Sequence, residues 1–274
     1  MSQPVAVGAV LYDPKVSVIW NIIRDFFDAE GCPIDVTFYS TYALQVDGLL
    51  RGEIDIAWNS PLAWLDAQRR SGGRCRAIAM RDTDRDRATY LVTRQGGSVR
   101  HLADLRGRTL AVGASDSPQA TLIPLGLLKR LGLEAERDFR LRRFDVLVGK
   151  HGDHIGGERE AFEALARGEA DAAAMLDLNW EAWTRDGTID PREFTILWTT
   201  PRYDHCVFTA RGDVPPETER RWTEVLFRMR YDNPAHREMM DLEGLKAWLP
   251  GRTTGFGPLT EAVEALGYFS NGAR

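Results

Sequence analysis

The chain has 274 residues, of which 43% are hydrophobic and 27% charged, and a formal net charge of -5. That length fills one large core or two modest ones, and two α/β lobes are the natural division. The acidic balance excludes a nucleic-acid binder, because no surplus of Lys and Arg is left to neutralise phosphates; the short basic run from Arg140 to Arg143 reads as a solvated face.

No apolar run reaches transmembrane length and no leader is visible ahead of Val5. As it stands the sequence reads as cytoplasmic and not membrane-inserted, or as periplasmic if a leader was trimmed. Cys32, Cys75 and Cys206 cannot all pair, which agrees with a reducing compartment.

Residues 5–11 predict a first strand, and 16–29 predict an amphipathic helix with Ile19, Trp20, Ile23 and Phe27 on one face. A strand is expected at 34–39, followed by a helix over 42–51 that Ser40 and Thr41 cap and Gly52 ends. Residues 54–58 predict a strand, and Asn59-Ser60-Pro61 starts a helix through Gln68. A polar loop is expected over 81–87, then an alternating strand over 88–93. The strand 109–112 runs into Gly113-Ala114-Ser115-Asp116-Ser117-Pro118, where Ser117 caps a helix over 119–131 and Pro118 suits its first position. Such a turn is expected to present free backbone N–H groups to a ligand. Further strands are predicted near 144–148, 170–175, 194–198 and 206–210, with helices over 158–167, from Asp177, and over 215–229. The composition places the lobe boundaries after 94 and 205: residues 1–94 plus 206–274 form one lobe and 95–205 the other. His101 and His236 read as solvent-facing. Trp58, Trp64 and Trp183 read as core, and Trp180 as a possible stacking wall.

Five segments in this order carry a resemblance: Ser40-Thr41-Tyr42-Ala43, the run from Gly52 to Trp58, the run from Asp104 to Thr109, the turn ending at Pro124, and the run from Ala166 to Ala174. Over about residues 5–230 the chain resembles the phosphate, phosphite and phosphonate substrate-binding proteins of ABC transporters. The resemblance implies an α/β, two-lobed type 2 periplasmic-binding-protein fold with hinged lobes closing on a ligand. It also implies no catalysis, no cofactor, and the membrane subunits of an ABC transporter as partners. Tyr42 matches a ligand-contacting tyrosine of that family, and Asp204 an acidic residue that can hold an amino group. Three positions depart from it. The family's Ser-Thr-Ser triplet lines up with Ser117-Pro118-Gln119, its tyrosine after the third strand with Asn59, and its histidine before the second-lobe helix with Glu158. Losing two hydroxyl donors and placing a carboxylate near the oxyanion weakens anion binding and points to an altered ligand.

The expected ligand contacts are therefore Tyr42, Asn59, Ser60, Ser117, Gln119, His154, Glu158, Asp177 and Asp204. The loop from Lys150 to Glu158 admits three readings. His151, His154, Glu158 and His205 or Cys206 are residue types that hold zinc; the same groups suit a polar, nitrogen-bearing ligand; or the loop is structural. The alternative function is a cytoplasmic enzyme of lyase, decarboxylase or cofactor-biosynthesis type on the same fold, with or without a metal. In it His154 and Glu158 would move protons.

Overall fold

The computed structural model describes residues 3–152 and 156–270. In chain order the elements are β1 (Val5–Val10), α1 (Lys15–Ala29), β2 (Ile34–Tyr39), α2 (Tyr42–Arg51), β3 (Ile56–Asn59), α3 (Pro61–Ser71) and β4 (Arg76–Arg81). There follow β5 (Thr89–Arg94), β6 (Thr109–Val112), α4 (Ile123–Arg130), β7 (Arg140–Arg143), α5 (Glu158–Ala166), β8 (Ala172–Leu176), α6 (Asp177–Arg185) and β9 (Phe194–Thr199). The chain ends with β10 (Val207–Ala210), α7 (Pro216–Leu226), α8 (Pro234–Glu243), β11 (Trp248–Pro250) and α9 (Gly257–Leu266). Contacts divide it into unit 1, Met1–Arg85 with Asp204–Gly255, and unit 2, Asp86–Tyr203 with Phe256–Arg274.

This division corrects the boundaries expected after 94 and 205. Strand β5 is hydrogen-bonded on both sides within unit 2, antiparallel to β8 and to β9, so the chain has already left unit 1 at Asp86. It crosses a third time after Gly255, because α9 packs against α4. Gly126 permits that docking: a Cβ there would collide with the backbone of Ala262. A glycine inside a helix is unfavourable by propensity, and here close helix approach is what requires it.

The sheet of unit 1 has the order β11-β4-β10-β3-β1-β2, with β1, β2 and β3 parallel and β10 antiparallel to both β3 and β4. The sheet of unit 2 has the order β7-β6-β8-β5-β9, with β6, β7 and β8 parallel and β5 antiparallel. Each unit thus places an antiparallel strand from next to a crossing, β10 or β5, among parallel ones, and in unit 1 the edge strand β11 is antiparallel to β4 as well.

Local sequence explains the best-defined ends. Thr41 caps α2 by accepting from the Leu44 N–H at 3.3 Å, and Gly52 ends it in the left-handed conformation. Ser60 caps α3 at 3.1 Å from the Ala63 N–H, with Pro61 in the first turn. In unit 1 the apolar face of α7 supplies Trp222, whose ring lies 4.8 Å from Phe208, itself 4.6 Å from Trp58. In unit 2 the two-residue strand period splits the core. Val92, Ala111 and Met175 face Phe162 and Trp183 on one side, and Leu91, Leu110 and Val112 face Leu128 and Phe139 on the other.

Strand β4 forms where no element is predicted, and two further segments differ from expectation. The strand expected at 144–148 lies at Arg140–Arg143, the edge of the unit 2 sheet, where three arginines are exposed and only Leu141 is half-buried. An edge strand tolerates such a run because its outer side meets water. The polar stretch at 81–87 begins as the last residue of β4, and Arg81 and Asp84 in it are buried.

Candidate functional site

Parallel strands send their carboxyl ends to one edge of a sheet, which is where open α/β sheets bind ligands. In unit 1 that edge carries Tyr42 after β2, and Asn59 and Ser60 at the end of β3, all buried. Asn59 Nδ2 donates to Thr209 Oγ1 at 3.0 Å, and its Oδ1 accepts from Gln45 Nε2 at 2.8 Å. The Ser60 hydroxyl is the α3 cap. Antiparallel β10 starts opposite Asn59, so Asp204, His205 and Cys206 precede it at this same edge.

Asp204, expected to hold a ligand amino group, is instead forked by Arg252: Nε to Oδ2 and Nη2 to Oδ1, each 2.6 Å. Its side chain is fully buried while that of Arg252 is partly exposed. Beside it Arg81 forks Asp84 at 2.7 and 2.9 Å and also donates to Glu243 Oε2 at 2.7 Å. Arg81 holds the Asp84 carboxyl well below the usual range, overcoming the opposite effect of burial, and His205 assists.

His205 Nδ1 lies 3.1 Å from Cys206 Sγ and 3.6 Å from Asp84 Oδ1. Among the described residues Asp84, His205 and Cys206 form the group whose ligand-type atoms come within 4.8 Å of one another. Asp84 Oδ1, however, already accepts from Arg81 and from the Cys206 N–H at 3.2 Å, and a guanidinium beside the centre repels a cation. Of the set expected to bind zinc, His205 belongs to unit 1 whereas His151 and Glu158 belong to unit 2, and His154 lies outside the described residues.

In unit 2 the turns after β6 and β7 and the start of α6 after β8 share one edge. The central turn is not a set of free donors. The N–H groups of Gly113, Ala114 and Ser117 donate to Ala120 O, Gly156 O and Ala114 O, and that of Ser115 donates to Asp145 Oδ1. Ser117 caps a π-helical turn, Pro118–Leu122, by accepting from the Ala120 N–H at 3.2 Å. Gln119 Nε2 donates to Gly152 O at 3.2 Å, and the Gln119 carbonyl accepts from Thr89 Oγ1, which also meets the Tyr203 hydroxyl at 2.9 Å.

Glu158 opens α5 and is 0% exposed. Its Oε2 accepts from the Leu176 N–H at 2.8 Å and from Asn179 Nδ2 at 2.6 Å, while Oε1 has no hydrogen-bond partner among the described residues. Burial pushes the carboxyl up to about 7, against the donors of Leu176, Asn179 and the nearby Gln119 amide. Asp177, at the start of α6, accepts from the Leu178 N–H at 2.9 Å and lies 3.7 Å from Arg87; burial raises its carboxyl too. Trp180 is half-buried and meets Tyr90 edge-on at 6.5 Å.

A family model described as ABC transporter, phosphonate, periplasmic substrate-binding protein matches residues 18–256. The chain belongs to this family. Among solved structures, the PhnD1 protein of Prochlorococcus marinus, in complex with methylphosphonate, is 17% identical, with a TM-score of 0.71 over 96% of this chain and 98% of that one. A protein of Xanthomonas citri bound to ATP is 17% identical at a TM-score of 0.73 over 100% of both chains. A binding-protein component of an ABC phosphonate transporter from Pseudomonas aeruginosa is 15% identical at 0.66, over 97% and 87%. At these identities the likeness is one of fold. A stretch of 41 residues is 56% identical to an uncharacterized protein of Haemophilus influenzae, which the chain spans over 58% of its length and 15% of its own. No helix among the described residues is long and apolar enough to cross a membrane.

For a member of the phosphonate-binding family, the structure adds residues that sequence reading missed. Asn179 and the Leu176 N–H orient Glu158, and Arg252, Arg81 and Glu243 neutralise or share the unit 1 carboxylates. Only the spacing of Arg81 and Asp84 within one segment was a readable signal; the other partners lie far apart in sequence.

Proposed function

We propose that this chain is the solute-binding component of an ABC transporter. It takes a small polar ligand, for which Ser117, Gln119, Glu158 and Asp177 stand at the sheet edge of unit 2, and Tyr42, Asn59 and Ser60 at the corresponding edge of unit 1. The observation that carries this reading is the fully buried Glu158, with one oxygen that has no hydrogen-bond partner among the described residues, at the carboxyl edge of the unit 2 sheet. A carboxyl built only for stability has its buried oxygens paired, and an oxygen left over is a place for a ligand atom. The changed positions Asn59, Pro118, Gln119 and Glu158 support a ligand preference different from that of the family's typical members. The membrane subunits of a transporter are the partners this reading implies. A periplasmic location follows with it, and a leader encoded upstream of Met1 is the check on that point.

Native and denaturing mass spectrometry of the purified protein tests the reading. An organic mass retained under native conditions and lost on denaturation, restored by adding the same compound, is the expected result. No retained mass, together with no thermal shift from a panel of phosphonates, sulfonates and small zwitterions, defeats it. Conversion of an added compound to a product of different mass would move the chain to the enzyme reading.

A further inference from the structure

Glu158 raises a question that ligand binding alone does not answer: which of its two forms meets the ligand. Both hydrogen bonds to Oε2 come from groups that can only donate there, a backbone N–H and a carboxamide NH2. In the neutral acid the proton therefore sits on Oε1, the oxygen without a described partner. Among the described residues, the neutral form offers a buried O–H donor at Oε1 without an acceptor, and the ionised form leaves Oε1 short of a hydrogen bond although the Gln119 amide is nearby.

The surroundings favour the neutral form. Asp177 is the charged group acting on the carboxyl, and it has the same sign. The Tyr203 phenol is pushed well above its ordinary range by burial, then by Glu158 and Asp177. Arg87 lies against Asp177, and desolvation lowers His151 to about 3, which leaves its imidazole uncharged. Of the strands that α5 packs against, β5, β6 and β8, none places a Lys or Arg in hydrogen bond or ion pair with Glu158 among the described residues. The N-terminus of α5, where Gly157 supplies no side-chain cap, acts the other way by favouring an anion, and burial outweighs it.

We propose that Glu158 enters the site as a neutral acid whose Oε1–H donates to an oxyanion of the ligand, so that binding the anion holds one proton on the protein. This rests on the solute-binding reading and assigns Glu158 as its specificity-determining residue. A carboxyl where the family has a histidine then still accommodates a phosphonate-like oxyanion, with a dependence on pH that a hydroxyl triplet would not impose. The ionised form excludes the same anion by like-charge repulsion in a desolvated place.

The test measures binding of inorganic phosphate, methylphosphonate and methanesulfonate by titration calorimetry between pH 6 and 9 at constant ionic strength, on the parent and on Glu158→Gln. The carboxamide keeps the acceptor for Leu176 and Asn179 and the donor toward the ligand, but does not titrate. Relative to the variant, the parent loses affinity about tenfold per pH unit above about 7, reaching about a hundredfold at pH 9. Because phosphate and methylphosphonate titrate themselves, the difference between the two proteins isolates Glu158, and methanesulfonate keeps its charge throughout. Heats compared in buffers of different ionisation enthalpy count the proton directly and need no variant.

Parallel pH profiles in the two proteins overturn the proposal, as does tighter binding of ethanolamine with proton release. Failure of all three oxyanions to bind either protein overturns it as well. A ligand retained in native mass spectrometry would leave the solute-binding reading standing in each of these cases.

Discussion

The two sheet edges treat buried carboxylates in opposite ways. In unit 1, Asp84 and Asp204 are each forked by an arginine, and Arg81 reaches Glu243 as well. In unit 2, Glu158 is held by neutral donors only, and Asp177 has its cation at 3.7 Å. A forked carboxylate has both oxygens engaged and its position fixed, so its chemistry is closed. A carboxyl held by amides keeps its proton near neutrality and can still gain or lose it, so the second edge is where ligand charge is decided.

The sharpest way to break this contrast is Arg81→Met, which leaves Asp84 and Glu243 buried without their cation. Removing one partner of a buried pair costs about 3–5 kcal/mol, read as a lower midpoint in guanidinium unfolding. A loss under about 1 kcal/mol would mean that the unit 1 carboxylates do not depend on arginine.

Next in size is the pH response, which has opposite sign in the two units. The folded value for Glu158, about 7, exceeds the ordinary 4.5, so its contribution is fully present below 4.5 and is lost as the pH rises through about 7. The loss amounts to about 3 kcal/mol for unit 2. Asp84 is depressed, so its contribution is present above the ordinary 3.8 and is lost as the pH falls below it. Hydrogen exchange corrected for intrinsic rates should weaken in α5 and β8 between pH 5 and 8 while β3 and β4 hold, and Glu158→Gln should remove the weakening. Equal slopes in both units would erase the distinction.

A smaller effect is expected from Gly255→Ala, where the new methyl collides with the Asp204 carboxylate. Displacing that group from Arg252 should cost about 1–3 kcal/mol. The change should fall in unit 1 peptides with no change in oxyanion affinity, and a change confined to affinity would return Asp204 to the ligand.

Much of the fold was legible in the chain. The order of strands and helices through α3, the caps at Thr41 and Ser60 and the stop at Gly52 follow from side chains acting within a few residues of themselves. The edge positions were legible for the same reason: a residue that ends a strand and caps the next helix lies at the carboxyl edge whichever sheet it joins. Strand β4 was missed because its sequence, Arg76-Ala-Ile-Ala-Met-Arg81, has arginine at both ends and lies between polar stretches. The strand expected at 144–148 was misplaced because an edge strand does not need the apolar content that marks a central one.

What the sequence by itself determined is therefore the family, the alternation of strands and helices, and the residues that stand at the sheet edges. Only the tertiary structure decided which acid is neutralised and which keeps a proton. Asp204 meets Arg252, Arg81 meets Glu243, and Glu158 meets Leu176 and Asn179. A carboxyl's charge depends on the dielectric and the donors within a few ångströms of it, and those neighbours come from segments that folding alone brings together.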